Sequence, residues 1–413
     1  MYAASVDPKE GLEVFDQFLG LRNNVTADNF GREDLVAALN VDIDDSLAIS
    51  RRKGYSAPVT SAIDRALWAS GSICLGVGSN ALKQVLPDYS TIILRTGLTA
   101  ARRLSYAAVG DRVFYSNGVE KGCVRDAADH SWGLAVPGVP VATTTGGTLP
   151  AGEYQYAVTY LREDGQESGT GRAGTITLAA TGGIALSAIP VSSDIDVAHK
   201  VIYVSPTGGE TLYRVGVILN ADTTFVIREQ RMGASPLLTQ FLQPPPTGDH
   251  IAYQNGYMLV AKDSRLYPSE PYAPELFDYR KALPFLGRIT MVAPVKGGVW
   301  IGLDGQIGWL AGDTPETWDY KPAADYGVIP GTLWFADAGV VGDGQGTGEI
   351  AALFASKRGL CVGFPGGRLM NATESRFAYP SMDTGASIVR RHRGITQFLV
   401  TMQGAETAGN VAA

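Results

Sequence analysis

His130, His199, His250 and His392 are the four histidines of this 413-residue chain, and they stand singly. None has a second histidine four residues away, the spacing that sets two imidazoles around a zinc ion on one helix face. Each is therefore expected at a turn or on the surface. Cys74, Cys123 and Cys361 lie far apart, with no C-x-x-C metal spacing and no paired framework. Each falls in or beside an apolar stretch, which predicts buried free thiols. The sequence contains neither a G-x-S-x-G nucleophile elbow nor a Walker loop. Gly342-Asp343-Gly344-Gln345-Gly346-Thr347-Gly348 lacks the Gly-Lys-Ser/Thr ending and precedes strand-like Ile350–Phe354, so it reads as a flexible turn rather than a phosphate cradle. No cofactor or metal is expected.

Two groups of charge remain. Asp42, Asp44 and Asp45 could hold a cation, but they sit in what reads as a turn before a strand. Elsewhere the carboxylates do not gather into the positioned pair that glycoside cleavage needs. The basic clusters are Arg51-Arg52-Lys53 and Arg390-Arg391-His392-Arg393, both inside strand-like sequence. One reading is a solvated strand edge guarded against stray pairing. The other is a docking surface for an acidic partner, with Arg51, Arg52, Lys53, Arg390, Arg391 and Arg393 as its residues. Asn24-Val25-Thr26 and Asn371-Ala372-Thr373 match the glycosylation acceptor pattern, which is read as chance.

The whole chain carries a formal charge of −7, which leaves no basic footprint for sequence-reading nucleic-acid binding. Apolar residues make up 45% and charged residues 18%, a balance that can bury a sizeable core. Asp7, Glu10 and Glu13 stand where a secretory leader would need a basic start and an apolar run. No apolar run approaches the length of a membrane span. A reducing cytoplasm is the expected site of synthesis.

The elements that must position these residues are short strands. Leu67–Ser70, Val113–Ser116, Met258–Ala261, Val299–Gly302 and Leu353–Ser356 share one template: an apolar run, a tight turn, then a second strand. Gln397–Val400 is a weaker sixth. With about 100 residues removed from the one long gap, the intervals fall near 45, the repeat length of a four-stranded propeller blade. The long gap has a different texture. Val136–Pro140 reads as a linker, and Glu153–Tyr160, Gly174–Leu178, Lys200–Val204 and Thr211–Val217 read as longer strands before the Pro244–Pro246 run. About seven strands in such a segment suit a small β-sandwich of fibronectin or immunoglobulin type. Near the N-terminus, residues 14–21 read as a strand, Arg32–Leu39 as a short helical turn, and Val41–Ser50 as two strands across an Asp-Asp-Ser turn.

The expected fold is thus all-β: a β-propeller of about six blades with an inserted fibronectin/immunoglobulin-like β-sandwich. The expected divisions are 1–142 for a closing strand and the first blades, 143–245 for the insertion and 246–413 for the remaining blades. The sixth repeat runs short of chain, so the 14–21 strand is expected to complete it.

Certain motifs carry a resemblance. Gly20-Leu21-Arg22-Asn23-Asn24, Leu39-Asn40-Val41-Asp42-Ile43-Asp44 and Ile49-Ser50-Arg51-Arg52-Lys53-Gly54-Tyr55 resemble the opening of a family of tailed-bacteriophage virion proteins. Leu266–Pro271 with Pro274-Glu275, and Gly308–Gly312 with Pro315 and Trp318, resemble later stretches of the same family. The resemblance implies a tail component similar to the nozzle or stopper (head–tail connector) proteins of short-tailed phages. In those, several copies, often six, form a ring against portal and adaptor proteins, and double-stranded DNA passes along the axis without sequence-specific binding. It carries over no catalytic residues, and it implies a location in the virion tail. The acidic balance suits a channel wall that does not trap DNA. The alternatives are a tail-tip module that binds host-surface carbohydrate, a glycan-cleaving propeller, and a cellular scaffold.

Overall fold

The computed structural model describes residues 17–404 except 45, 53, 55, 57–61, 230–234, 342–347, 380–381 and 393–394. Short β-branched and aromatic runs punctuated by Gly, Asn and Asp fold as antiparallel meanders. Five sheets of this kind follow one another. The first runs Arg65–Ser70, Ile73–Gly78, Ala81–Val85 and Thr91–Arg95; the second runs Ser105–Val109, Arg112–Ser116, Lys121–Arg125 and Ala128–His130. The third runs His250–Gln254, Tyr257–Lys262, Arg265–Glu270 and Ala273–Phe277, with Leu283–Pro284 added beside Arg265–Glu270. The fourth comprises Ile289–Val295, Gly298–Leu303, Ile307–Ala311 and Asp319–Ala324, and the fifth Trp334–Asp337, Ile350–Ser356, Gly359–Gly363 and Leu369–Asn371. Tight turns make the meanders possible. Asn255 and Gly256 both take positive φ (48° and 89°), as a two-residue hairpin turn requires.

Five of the six template stretches occupy the second strand of their element. Leu67–Ser70 instead lies in the first strand of its sheet, so the first repeat is out of phase by one strand. The strand that corresponds to the others is Ile73–Gly78, whose small Gly76 and Gly78 dilute the apolar signal. The weak sixth repeat is a two-stranded hairpin, Thr384–His392 with Ile395–Gln403.

Burial explains why the second strands read as continuous apolar runs. Val113 and Tyr115 join Leu75, Val77 and Leu82 in a core between the first and second sheets. Phe114, on the opposite face, joins Trp132, Ile251, Met258, Val260 and Phe277 in a core between the second and third. Alternate residues of one strand thus feed two cores. The second and third sheets also share hydrogen bonds: the Ser116 hydroxyl donates to the Gly248 carbonyl (2.8 Å), and the Ile251 amide donates to the Ser105 hydroxyl (3.0 Å). Their direct packing places the chain between them to one side.

That intervening chain holds seven strands in two sheets. Val141–Leu149, Gly182–Ser187 and Phe225–Ile227 make one, in the order first, second, third. Gly174–Leu178, Gly152–Arg162, Val197–Val204 and Tyr213–Leu219 make the other, in that spatial order. Both contribute to one core: Leu149, Ile184, Leu186 and Ile227 from the first sheet meet Tyr154, Tyr156, Val158, Leu178, Ile202 and Val204 from the second.

By internal packing the chain divides into two compact units: 59–292 with 314–316, and 1–58 with 293–313 and 317–413. In the second of these units, Ala351, Leu353 and Val362 of the fifth sheet, with Phe364 just after its third strand, pack with Val389 and Phe398 of the final hairpin. Trp300 and Trp309 pack with ring centres 5.0 Å apart, and the Trp300 indole donates to the Phe364 carbonyl (3.1 Å).

The N-terminal expectations need correction. The start of the 14–21 strand, residues 14–16, lies outside the described residues. Its described end, Gly20–Leu21, pairs in parallel with Asp34–Leu35 and not with the final hairpin. Arg32–Leu39 is not helical either. The 3-10 turn lies earlier, at Ala27–Asn29, and Asp34–Leu35 within the expected stretch is extended by its pairing with Gly20–Leu21. The Val41–Ser50 expectation holds: Val41–Ile43 and Ile49–Arg51 pair antiparallel across a turn capped by the Asp44 carboxylate.

Candidate docking site

Asp42 is the point at which the two basic clusters meet. It lies on Val41–Ile43, opposite Ser50 in the hairpin. Its carboxylate accepts a hydrogen bond from Arg52 Nε (3.1 Å) and two from Arg390 Nη2 (3.0 and 2.9 Å). Arg390 is held in turn by the Gln397 side chain across its own hairpin (2.6 Å). The Asp42 side chain is only 15% exposed. Burial by itself would raise its carboxyl, but the hydrogen bonds and charge of Arg52 and Arg390 more than reverse this and hold it below the usual carboxylate range.

Strand alternation divides the basic residues by role. Arg52 and Arg390 turn toward Asp42, although Arg52 itself stays exposed, as Arg51 and Arg391 are. Lys53 and Arg393 lie outside the described residues. Two guanidiniums against one carboxylate, with two more beside them, leave this hairpin pair locally cationic on an acidic chain.

A second node of the same design lies in the same unit. Asp34 pairs with Arg22 (2.9 Å) and with Arg376. Its carboxyl is held low, chiefly by the Arg22 hydrogen bond. Beside it the Asn23 amide donates to the Ala378 carbonyl (2.6 Å) and accepts from the Ala378 amide (2.7 Å). Among the described residues the N-terminal segment is therefore fastened to the last third of the chain by side chains and by the Asn23 backbone amide, which donates to the Arg376 carbonyl (3.0 Å), without a strand ladder.

Other candidates resolve differently. Asp42 and Asp44 are committed to arginines and to a turn, and Asp45 is outside the described residues. No group of three or more His, Cys, Asp or Glu is placed to hold a metal among the described residues. Gly342–Thr347 is also outside them, and the strand Ile350–Ser356 follows as expected. The three thiols are free, but Cys74 is only half-buried; burial pushes the Cys123 thiol up to about 12. No helix among the described residues is long and apolar enough to cross a membrane.

Two histidines are less bland than expected. His130 Nδ1 lies 2.8 Å from an Asp196 carboxylate oxygen. It belongs to a polar lattice that the spacing of residues did not reveal. Arg125 pairs with Asp164 (3.0 Å), and Arg162 reaches Asp194 (2.7 Å) and the Ser131 carbonyl (3.1 Å). The lattice ties the second sheet to the seven-stranded segment. The alternation in Asp194-Ile195-Asp196 was the one available signal, since it puts both carboxylates on one side.

Burial holds the His250 imidazole down at about 4, with Asp249 opposing the shift and Arg288 and Arg103 adding to it. The folded chain then binds fewer protons at this site than the unfolded chain, whose imidazole titrates near 6.5. Stability from His250 is complete above about pH 6.5 and is lost as the pH falls toward 4. The residue as a whole is partly exposed, so the expected loss is roughly 2 kcal/mol rather than the full value of the shift. Denaturant unfolding at pH 7 and pH 4.5 should show it, and His250→Gln should flatten that part of the profile. An unchanged slope in the variant would rule the imidazole out as the cause.

No protein-family model matches the chain, and no curated protein does. Among solved structures, the chain is similar to BBS1N in a complex with ARL6DN, with 11% identity and a TM-score of 0.35 over 86% of this chain and 97% of that one. It is similar to AztD from Citrobacter koseri with 13% identity and a TM-score of 0.25 over 80% and 90%. For Sqt1 from Saccharomyces cerevisiae the values are 9% and 0.21 over 68% and 89%. Superpositions this loose carry neither fold nor function to this chain.

Proposed function

We propose that this chain is a non-enzymatic structural subunit of a bacteriophage tail, a nozzle or connector component that works as a ring through which the genome passes. In this reading the successive four-stranded sheets are blades of a β-propeller of about six blades. The seven-stranded segment is a β-sandwich inserted after the second blade. The observation that carries the reading is the position of the phage-like N-terminal motifs. Asn23 and Asp42, which belong to those motifs, fasten the N-terminal segment to Ala378 and Arg390, and Arg22 and Arg52, also in the motifs, brace Asp34 and Asp42 from within it. The motifs thus coincide with structural work, as motifs of a scaffold should. The exposed Arg51 and Arg391 suit a neighbouring acidic surface, either another copy of the chain or a portal or adaptor protein. A conduit needs copies arranged around one axis.

Averaged electron micrographs of the virion should place the protein as a ring on the tail axis. Finding it only in peripheral spikes would reject the conduit and favour a host-binding module.

A further inference from the structure

A cleft of about 530 Å³ opens beside the third sheet, lined by Pro245, Pro246, Tyr267, Tyr279 and the turn Lys262–Arg265. We propose that this cleft is a binding site for an acidic saccharide, such as a uronic-acid unit of a polysaccharide. The proposal stands on the cleft alone and does not depend on the tail reading.

Its walls are of two kinds. Tyr267 and Tyr279 meet edge to face with ring centres 5.3 Å apart, and the Tyr279 hydroxyl donates to the Pro244 carbonyl (2.8 Å). That bond anchors a ring that is 40% exposed. The two tyrosine rings give apolar surface against which the C–H face of a sugar ring can lie, with Pro245 and Pro246 buried at its base. The rim is polar and comes from one tight hairpin turn. Lys262 pairs with Arg265 in the ladder, and Asp263 takes a φ of 52° between them. The turn is pinned from behind, since the Phe285 amide donates to the Ser264 carbonyl and the Ile289 amide to the Asp263 carbonyl, both at 2.8 Å.

The chemistry of this rim selects the ligand. Lys262, Asp263 and Arg265 are exposed, and the nearby ion pairs, Arg280–Asp278 and Lys281–Glu270, leave them out. The Asp263 carboxylate and the Ser264 and Thr247 hydroxyls can accept or exchange hydrogen bonds with sugar hydroxyls. Lys262 and Arg265 outnumber the one carboxylate and favour a ligand that carries its own.

The test uses the full chain and isothermal titration with trigalacturonate, maltotriose and tripolyphosphate. Saturable binding of trigalacturonate is expected, with maltotriose weaker by about tenfold. Tyr279→Ala should weaken both sugars by about five- to tenfold, whereas Lys262→Gln should weaken only the acidic one. Tyr267→Leu, which spares the Pro244 bond, should act like Tyr279→Ala if the ring face is what matters. Thermal melts confirm that each variant is folded. No saturable binding of trigalacturonate would overturn the proposal. So would tripolyphosphate binding as tightly as trigalacturonate with no loss in either tyrosine variant, because charge alone would then explain the site.

Discussion

Trp132→Ala is expected to destabilise the chain by about 3–5 kcal/mol, the usual cost of emptying a large buried aromatic site. Trp132 is 1% exposed. Its ring sits between Phe114 (centres 5.2 Å apart) and Phe277 (6.5 Å), and its indole donates to the Pro274 carbonyl (2.8 Å). The variant removes this bridge between the second and third sheets and also leaves a carbonyl without its donor. Trp132→Phe should retain most of the packing and lose only the hydrogen bond, about 1–2 kcal/mol. Denaturant unfolding of both variants decides the point. A loss below about 1 kcal/mol for Trp132→Ala would mean that the two sheets do not depend on their shared core.

Asp42→Asn should cost roughly 1–2 kcal/mol, because it leaves the partly solvated Arg52 and Arg390 guanidiniums facing each other without the anion between them. Arg390→Gln should cost less, since Arg52 still satisfies the carboxylate. The double variant should be more stable than the sum of the single losses implies, which is the signature of a direct pair. The pH dependence has a definite sign. The folded carboxyl is held below its unfolded value, so its contribution is present above about pH 4 and is lost as the pH falls through the folded value. The gap between wild type and Asp42→Asn should therefore close in acid. Additive losses, or a gap that persists at low pH, would show that Asp42 does not tie the two hairpins together.

Arg51 and Arg52 illustrate how far sequence reading reached. Both were legible as a basic cluster on a strand, and so were Arg390 and Arg391. Which of each pair reaches Asp42 was not, because that depends on a carboxylate 348 positions from Arg390. His130 and Asp196 raise the same difficulty at shorter range, since neither lies in a recognisable motif.

The strands themselves were written locally. Alternating apolar runs and Asn, Gly and Asp turns act within a few residues, so the sequence alone determined an all-β chain, repeated strand clusters and a segment of different texture between Val136 and Pro246. The phase of the first repeat escaped because Gly76 and Gly78 weaken the apolar signal of its second strand, while Leu67, conspicuous in the sequence, is 64% exposed in the fold. Only the tertiary structure decided that Gly20–Leu21 pairs with Asp34–Leu35, that Asp34 and Asp42 each gather two arginines, and that Tyr267, Tyr279 and the Lys262–Arg265 turn line one cleft. Strand formation needs only neighbours in sequence, whereas these choices arise from contacts between distant residues and carry no local pattern.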